Sequence, residues 1–224
     1  MKAPKPPKSL EELISRANDI AGLSIVELAG RYSLNVPKDL TKNKGWVGQM
    51  LEYVLGATAS SKPVPDFELL GVELKTIPIS KLGKPLETTF ITSTPLLNIS
   101  GAKWEDSVVK KKLRNVLWVP ILSCKSIPFP NRIIGTGFLW ELDKELEKTL
   151  KNDWEEQMEL IALGMVEKIT ANLGTALQIR PKAASSSSVT NAIGKHGKVI
   201  QTNPKGYYLK KEITQKILDD QFRL

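Results

Sequence analysis

An α/β architecture, a mixed sheet flanked by helices, is what this sequence predicts. Three observations predict it: short alternating or β-branched runs between Leu69 and Leu122, a long amphipathic pattern over residues 143–163, and capping signals that open two helices near the N-terminus.

Ser9-Leu10-Glu11-Glu12 and Ser24-Ile25-Val26-Glu27 both fit the capping box, in which a serine oxygen and a glutamate three residues later satisfy the first orphan amides of a helix. From Trp46 to Leu55 the apolar spacing is helical, and Gly56 suits a C-cap; Glu52 lies on this helix. Residues 57–65, rich in Ala, Ser and Pro, read as a connection. Leu69 to Ile77 alternates as a half-buried strand does, and Thr88–Thr94 and Val116–Leu122 add further strands, all three expected in one mixed sheet. Over 143–163 the stripe Leu146, Leu150, Trp154, Met158 and Ile161 predicts a helix that packs on the sheet and closes at Gly164. A strand at Leu177–Ile179 follows, then a serine run at Ser185–Ser188 read as a mobile loop or an exposed helix end. A short helix near Val189, a strand at Tyr207–Leu209 and a final helix complete the chain. There is no internal repeat, and one domain over 1–224 is the expectation.

Composition removes whole classes of chemistry. One cysteine (Cys124) and one histidine (His196) exclude a disulfide framework and a zinc finger and give no support to a Cys/His nucleophilic pair. No apolar run approaches the ~20 residues that span a bilayer. The N-terminus is basic and leads into Ser9-Leu10-Glu11-Glu12 without an apolar h-region, so it reads as a frayed tail on a cytoplasmic protein. Lys and Arg outnumber Asp and Glu by 32 to 24, net +8, a balance that suits a polyanion if the charge gathers on one face. An anionic membrane surface or an acidic partner would be served equally by it.

The segment that carries chemistry is Asp66-Phe67-Glu68-Leu69-Leu70-Gly71-Val72-Glu73-Leu74-Lys75. On a strand, Glu73 and Lys75 emerge on one face while Val72 and Leu74 point to the other. Asp66, arriving from the preceding turn, can meet Glu73 so that two hard oxygen ligands hold Mg²⁺ with positions open for water and a phosphate oxygen. Lys75 then stands beside the attacking water, to orient or deprotonate it and to neutralise charge growing on the phosphoryl oxygens. Metal-assisted phosphodiester hydrolysis is the chemistry of such a set; a surface ion pair on a strand is the competing reading.

Around these residues run Lys44-Gly45-Trp46, Leu51-Glu52, Ser61-Lys62-Pro63 and Gly71-Val72-Glu73-Leu74-Lys75-Thr76-Ile77-Pro78. In order there follow Pro85-Leu86-Glu87-Thr88-Thr89-Phe90, Val116-Leu117-Trp118, Asp153-Trp154-Glu155-Glu156, Gln178-Ile179-Arg180-Pro181-Lys182-Ala183 and Tyr208-Leu209-Lys210-Lys211. Together they resemble the signature of the MutH family over nearly the whole chain. The resemblance implies a restriction-endonuclease-like core split into N-terminal and C-terminal arms around a DNA cleft. It also implies nicking of an unmethylated strand 5′ to the G of hemimethylated or unmethylated GATC, in mismatch repair, with activation by a MutL-like partner after MutS acts. Carried over by position, Asp66 and Glu73 are metal ligands, Lys75 is the catalytic lysine, and Glu52 completes the acidic site directly or through water. Lys112, placed by its spacing from Val116-Leu117-Trp118, is a further active-site lysine, although Lys110 and Lys111 adjoin it. Mg²⁺ is the implied cofactor, with Mn²⁺ a substitute, and a monomer the implied state.

Arg180 suits bidentate contact with a guanine edge, with Pro181 and Lys182 shaping the major-groove approach; a phosphate clamp is its alternative role. Tyr208 is the candidate sensor of adenine N6, where a methyl group removes a donor hydrogen; an ordinary half-buried strand tyrosine competes with that role. Lys44, Gly45 and Phe90 match family positions near DNA, and for Phe90 a core role competes. Lys110-Lys111-Lys112-Leu113-Arg114 and Lys210-Lys211 would add phosphate attraction. Two other functions remain open: a GATC restriction endonuclease that cuts both strands, and a non-catalytic binder of hemimethylated DNA.

Overall fold

The computed structural model describes residues 4–38, 45–60, 62–182 and 188–223. In chain order its helices are α1 (Leu10–Ile20), α2 (Ile25–Arg31), α3 (Trp46–Leu55), α4 (Val108–Leu113), α5 (Lys144–Ala162) and α6 (Lys211–Phe222). Its strands are β1 (Glu73–Ile79), β2 (Thr89–Ser93), β3 (Asn115–Leu122), β4 (Ile133–Ile134), β5 (Phe138–Glu141), β6 (Leu177–Pro181), β7 (Thr190–Ile193), β8 (Val199–Thr202) and β9 (Lys205–Leu209). The chain divides into two compact units: Met1–Glu87 with Lys112–Glu141 and Ile217–Leu224, and Thr88–Lys111 with Leu142–Lys216.

The first unit is built on a mixed sheet. β1 runs parallel to β3, with Glu73 opposite Val116 and Lys75 opposite Trp118, while β4 and β5 pair antiparallel with β3. β3 is buried from Val116 to Ile121, as a central strand covered on both faces must be. Leu74, Leu117, Val119 and Ile121 join Leu13 and Ala17 of α1, Leu28 of α2 and Leu51 and Val54 of α3 in one apolar cluster. The first two helices have a local reason to start, and the third a local reason to stop. Ser24 and Glu27 form the full reciprocal capping box, whereas Ser9 caps Glu12 but the Glu12 carboxylate accepts from Lys8 N, at 2.7 Å, rather than from Ser9. α3 ends at Gly56 in the left-handed region (φ +84), where a Cβ would lie 2.7 Å from the Lys5 carbonyl oxygen. Arg16 also donates to that carbonyl, at 2.7 Å, and Pro7 is buried. The segment from Pro4 to Lys8 is thus tied down, not the frayed tail its composition suggested.

The second unit holds a three-stranded antiparallel sheet, β2-β9-β6, and a two-stranded one, β7-β8. The strand expected over Thr88–Thr94 therefore pairs with β9 and not with β1. α5 packs on this sheet: Leu150, Trp154, Met158 and Ile161 are buried and Leu146 is half-buried. The Asp153 carboxylate accepts from the amides of Thr175, Ala176 and Leu177 at 2.6–2.8 Å, and Gln157 Nε2 donates to Leu177 O at 2.8 Å. Gly174 (φ +82) lets the chain pass: a Cβ there would collide with Leu177 O and crowd Gln157 and Asp153.

Two further expectations need correction. Residues 68–71 form a turn, with Gly71 at φ +64 and Leu69 84% exposed, so the strand begins at Glu73 rather than Leu69. Where a short helix was expected near Val189, the chain forms β7, because Thr190–Ile193 finds a ladder partner in Val199–Thr202. Of the serine run, Ser185–Ser187 lie outside the described residues. No described helix is long and apolar enough to cross a membrane.

Candidate active site

At the start of β1 the side chain of Glu73 is 1% exposed and carries two ammonium partners. Lys75 Nζ, two residues on and therefore on the same face, donates to Glu73 Oε1 at 2.5 Å. Lys112 Nζ, from α4, donates to both carboxylate oxygens at 2.8 and 3.0 Å. The lysine run preceding β3 is thereby sorted: Lys112 meets Glu73, Lys110 pairs with Glu147 at 2.7 Å, and Lys111 is exposed.

Asp66 is buried beside this group, and its Oδ2 accepts from Leu74 N at 2.9 Å. Its carbonyl accepts from the amides of Thr58 and Ala59, and Phe67 bridges to Val72, so the hairpin-like turn before β1 holds Asp66 at the strand's entrance. Burial raises the Asp66 carboxyl above its ordinary range and the Glu73 charge raises it further, against smaller opposing effects of the Leu74 amide and the two lysines. Glu52, half-buried on α3, is raised first by burial and then by the charge of Asp66. Glu52, Asp66 and Glu73 thus share one electrostatic environment, although among the described residues no three Asp, Glu, His or Cys side chains converge as a metal-holding group.

Asp66 and Glu73 nevertheless fit a hard divalent cation. Mg²⁺ is held typically by one or two carboxylates together with waters and substrate phosphates, and two buried carboxylates that repel one another are the donor set a cation relieves. Both Asp66 and Glu52 bind their protons more tightly folded than unfolded. Their contribution therefore favours folding below the ordinary carboxylate range and is lost as pH rises through their raised values. A cation competes with those protons, so the gain in Tm on adding Mg²⁺ is expected to grow from about pH 5 to about pH 8. A larger gain at the acid end of a thermal-melt series would contradict the assignment.

A second cluster lies on the β2-β9-β6 sheet. Phe90 pairs with Tyr208 in register, their rings 5.3 Å apart, and Gly206 makes room, since a Cβ there would sit 2.8 Å from Phe90 Cε2. The Arg180 guanidinium lies 5.8 Å from the Tyr208 ring centre and donates to Thr88 Oγ1 at 2.9 Å. Lys182 Nζ stands 3.9 Å from the Phe90 ring centre and donates to Ser93 Oγ at 3.2 Å. Phe90 and Tyr208 are half-buried, with Arg180, Pro181 and Lys182 exposed, so two cations and two rings share one surface. Gly45 is the exposed N-cap of α3, and Lys44 lies outside the described residues.

The sequence reading missed the residues that support this surface: Thr88, Ser93, Gly206 and above all Asp153. A signal for Asp153 was present. With Gln157 it puts two polar residues four apart on the buried stripe of α5, and a polar residue on such a stripe has a partner to satisfy.

Comparison with known proteins decides the family. Residues 55–153 match the family model described as "DNA mismatch repair enzyme MutH". The chain is 53% identical over 222 residues to the "DNA mismatch repair protein MutH" of Shewanella sp. strain MR-4, covering 99% of this chain and 100% of that protein. The chain belongs to the MutH family. Similarity is as extensive with the Shewanella baltica strain OS195 protein of the same description, 54% over 217 residues and 97% of each chain. With that of Shewanella woodyi it is 52% over 222 residues, 99% of this chain and 96% of the relative. The MutH-family match spans both the carboxylate–lysine group and the surface of Arg180, Tyr208, Phe90 and Lys182.

Proposed function

We propose that this chain is a DNA mismatch-repair endonuclease that recognises GATC and nicks an unmethylated strand 5′ to the G by metal-assisted hydrolysis, acting as a monomer. The observation that carries the reading is the buried Glu73 carboxylate held by Lys75 and Lys112 beside Asp66, in a chain of the MutH family. In this reading Asp66 and Glu73 would hold Mg²⁺, or Mn²⁺ in its place, with Glu52 completing the acidic site directly or through water. Bound there, the metal would polarise the scissile phosphate and lower the pKa of the attacking water, so that it gives up its proton more readily. Lys75 orients that water and offers positive charge to the phosphoryl oxygens, and Lys112 keeps the Glu73 carboxylate fixed while adding a second positive charge. Arg180 addresses a guanine edge with its fork held by Thr88 and Tyr208, Lys182 anchors the approach, and Tyr208 meets adenine N6, where a methyl group removes a donor and fills groove volume.

A single endonuclease domain with a restriction-endonuclease-like core and two arms around DNA, a cytoplasmic location, and activation by a MutL-like partner downstream of MutS belong to the same proposal. It is tested by a strand-resolved cleavage assay with Mg²⁺ on unmethylated, hemimethylated and fully methylated GATC duplexes. Nicks confined to unmethylated strands are expected. Cleavage of both strands in one encounter would indicate a restriction enzyme, and binding without cleavage, even with the activating partner, a non-catalytic binder.

A further inference from the structure

The β7-β8 hairpin plays no part in the sites above. Its ladder runs from Thr190 opposite Thr202 to Ile193 opposite Val199, and Gly194 N donates to Lys198 O at 2.7 Å to close the tip. Between them Lys195-His196-Gly197 makes one tight turn, with His196 at φ +58 and Gly197 at φ +72. Residues 195–199 are all exposed. From Thr190 to Thr202 the sequence contains Lys195, His196 and Lys198 but no Asp or Glu. Among the described residues no ion pair engages either lysine.

The body of the hairpin is fixed while its tip projects. Ile193 N donates to Leu96 O at 3.1 Å, and Gly164 (φ +70) packs so closely on Gly194 that any Cβ at 164 would overlap its carbonyl. At the other end Thr202 Oγ1 donates to Glu167 at 2.5 Å and Asn203 Nδ2 to Ser188 O at 2.8 Å. The hairpin is also continuous with the surface that carries Arg180: Lys182 N donates to Pro204 O at 2.7 Å, and Pro181 pairs with Lys205.

We infer that the tip, Lys195 with Lys198 and His196, grips the phosphate backbone of duplex DNA outside the recognised tetranucleotide. The inference rests on the DNA-binding reading proposed above. A rigid two-stranded ribbon carrying only positive charge suits a phosphate track, which is read by charge and position and not by base identity. Lys198 is six residue steps from Pro204 at the Lys182 end, so the tip reaches at most about 20 Å from Lys182 along extended strand. At 3.4 Å per base pair that is about six base pairs, roughly half a helical turn into flanking sequence.

The test compares the full chain with Lys195→Gln/Lys198→Gln, and with Lys144→Gln/Lys148→Gln on the exposed side of α5 as a charge-matched control. Binding is measured in Ca²⁺ by fluorescence anisotropy over a salt series. On a GATC duplex with about 12 flanking base pairs per side, the hairpin variant is expected to bind about 5- to 10-fold more weakly, with a log–log salt slope shallower by about 2. On a duplex with about two flanking pairs it should match the parent, and its preference for GATC over scrambled sequence and its nicking rate at saturating DNA should not change. Parent-like affinity and slope on the long duplex overturn the inference while leaving the endonuclease reading intact, and so does an equal loss in the control. A parent chain that binds neither duplex removes both.

Discussion

Glu73→Ala is expected to abolish strand cleavage and, unlike most active-site substitutions, to destabilise the fold. The carboxylate is 1% exposed and both lysines that point at it are only 13–14% exposed, so its removal strands two ammonium groups in a confined space. Breaking a buried ion pair by deleting one partner costs about 3–5 kcal/mol, most of it the penalty on the charge left behind. One lysine can swing toward solvent, which places the expected loss near the lower figure, about 3 kcal/mol. Cleavage should fall by at least about 10³-fold, because the proposed metal ligand and the anchor of both lysines disappear together. Urea unfolding and the strand-resolved assay measure the two effects separately. Glu73→Gln, which keeps the shape and an acceptor oxygen, should recover part of the stability and none of the cleavage. A Glu73→Ala chain as stable as the parent would show that the carboxylate–lysine contacts contribute little to folding.

Asp153→Ala should be the most damaging substitution outside that group. One carboxylate, 5% exposed, satisfies three consecutive amides at the entrance to β6, and nothing else bonded to those amides would replace it. Each buried donor left unpaired costs about 1–3 kcal/mol, and a total of about 4 kcal/mol is expected from denaturant unfolding. The effect reaches function through position. Leu177 opens the strand on which Arg180 lies three residues later, so, on the proposed reading of Arg180, the surviving folded protein should lose preference for GATC before it loses non-specific affinity for DNA. A loss below about 1 kcal/mol would mean that water replaces the carboxylate.

The parts of this molecule that were legible in its sequence are those whose cause is local. The Ser24–Glu27 box, the glycine that ends α3 and the stripe of α5 each lie within a few residues of what they determine. Glu73 and Lys75 were legible as neighbours because strand periodicity alone puts them on one face. What had to be seen in three dimensions depends on distant partners. Lys112 meets Glu73 across 39 residues; residue periodicity does not separate it from Lys110 or Lys111, and only its spacing within the family signature singled it out. The partner of β2 is β9, more than a hundred residues away, so the run at Thr88–Thr94 looked like one more strand of the first sheet. β7 is too short for a period to show, and only its ladder with β8 makes it a strand. At Leu69 the error was different: turn residues happened to alternate, and Gly71 was the signal that should have delayed the strand.

If Asp66 and Glu73 with their lysines are the phosphodiester-cleaving group, removing one of these carboxylates must stop nicking without stopping binding. The most direct measurement pairs cleavage with binding for Asp66→Ala on hemimethylated GATC duplex, using anisotropy in Ca²⁺ and strand-resolved nicking in Mg²⁺. Asp66 is buried and accepts from Leu74 N, so a thermal melt confirms first that the variant is folded. Affinity within a few-fold of the parent and nicking reduced by about 10³-fold or more are expected. Parent-like nicking by a folded Asp66→Ala chain would contradict it and place the chemistry elsewhere in the molecule.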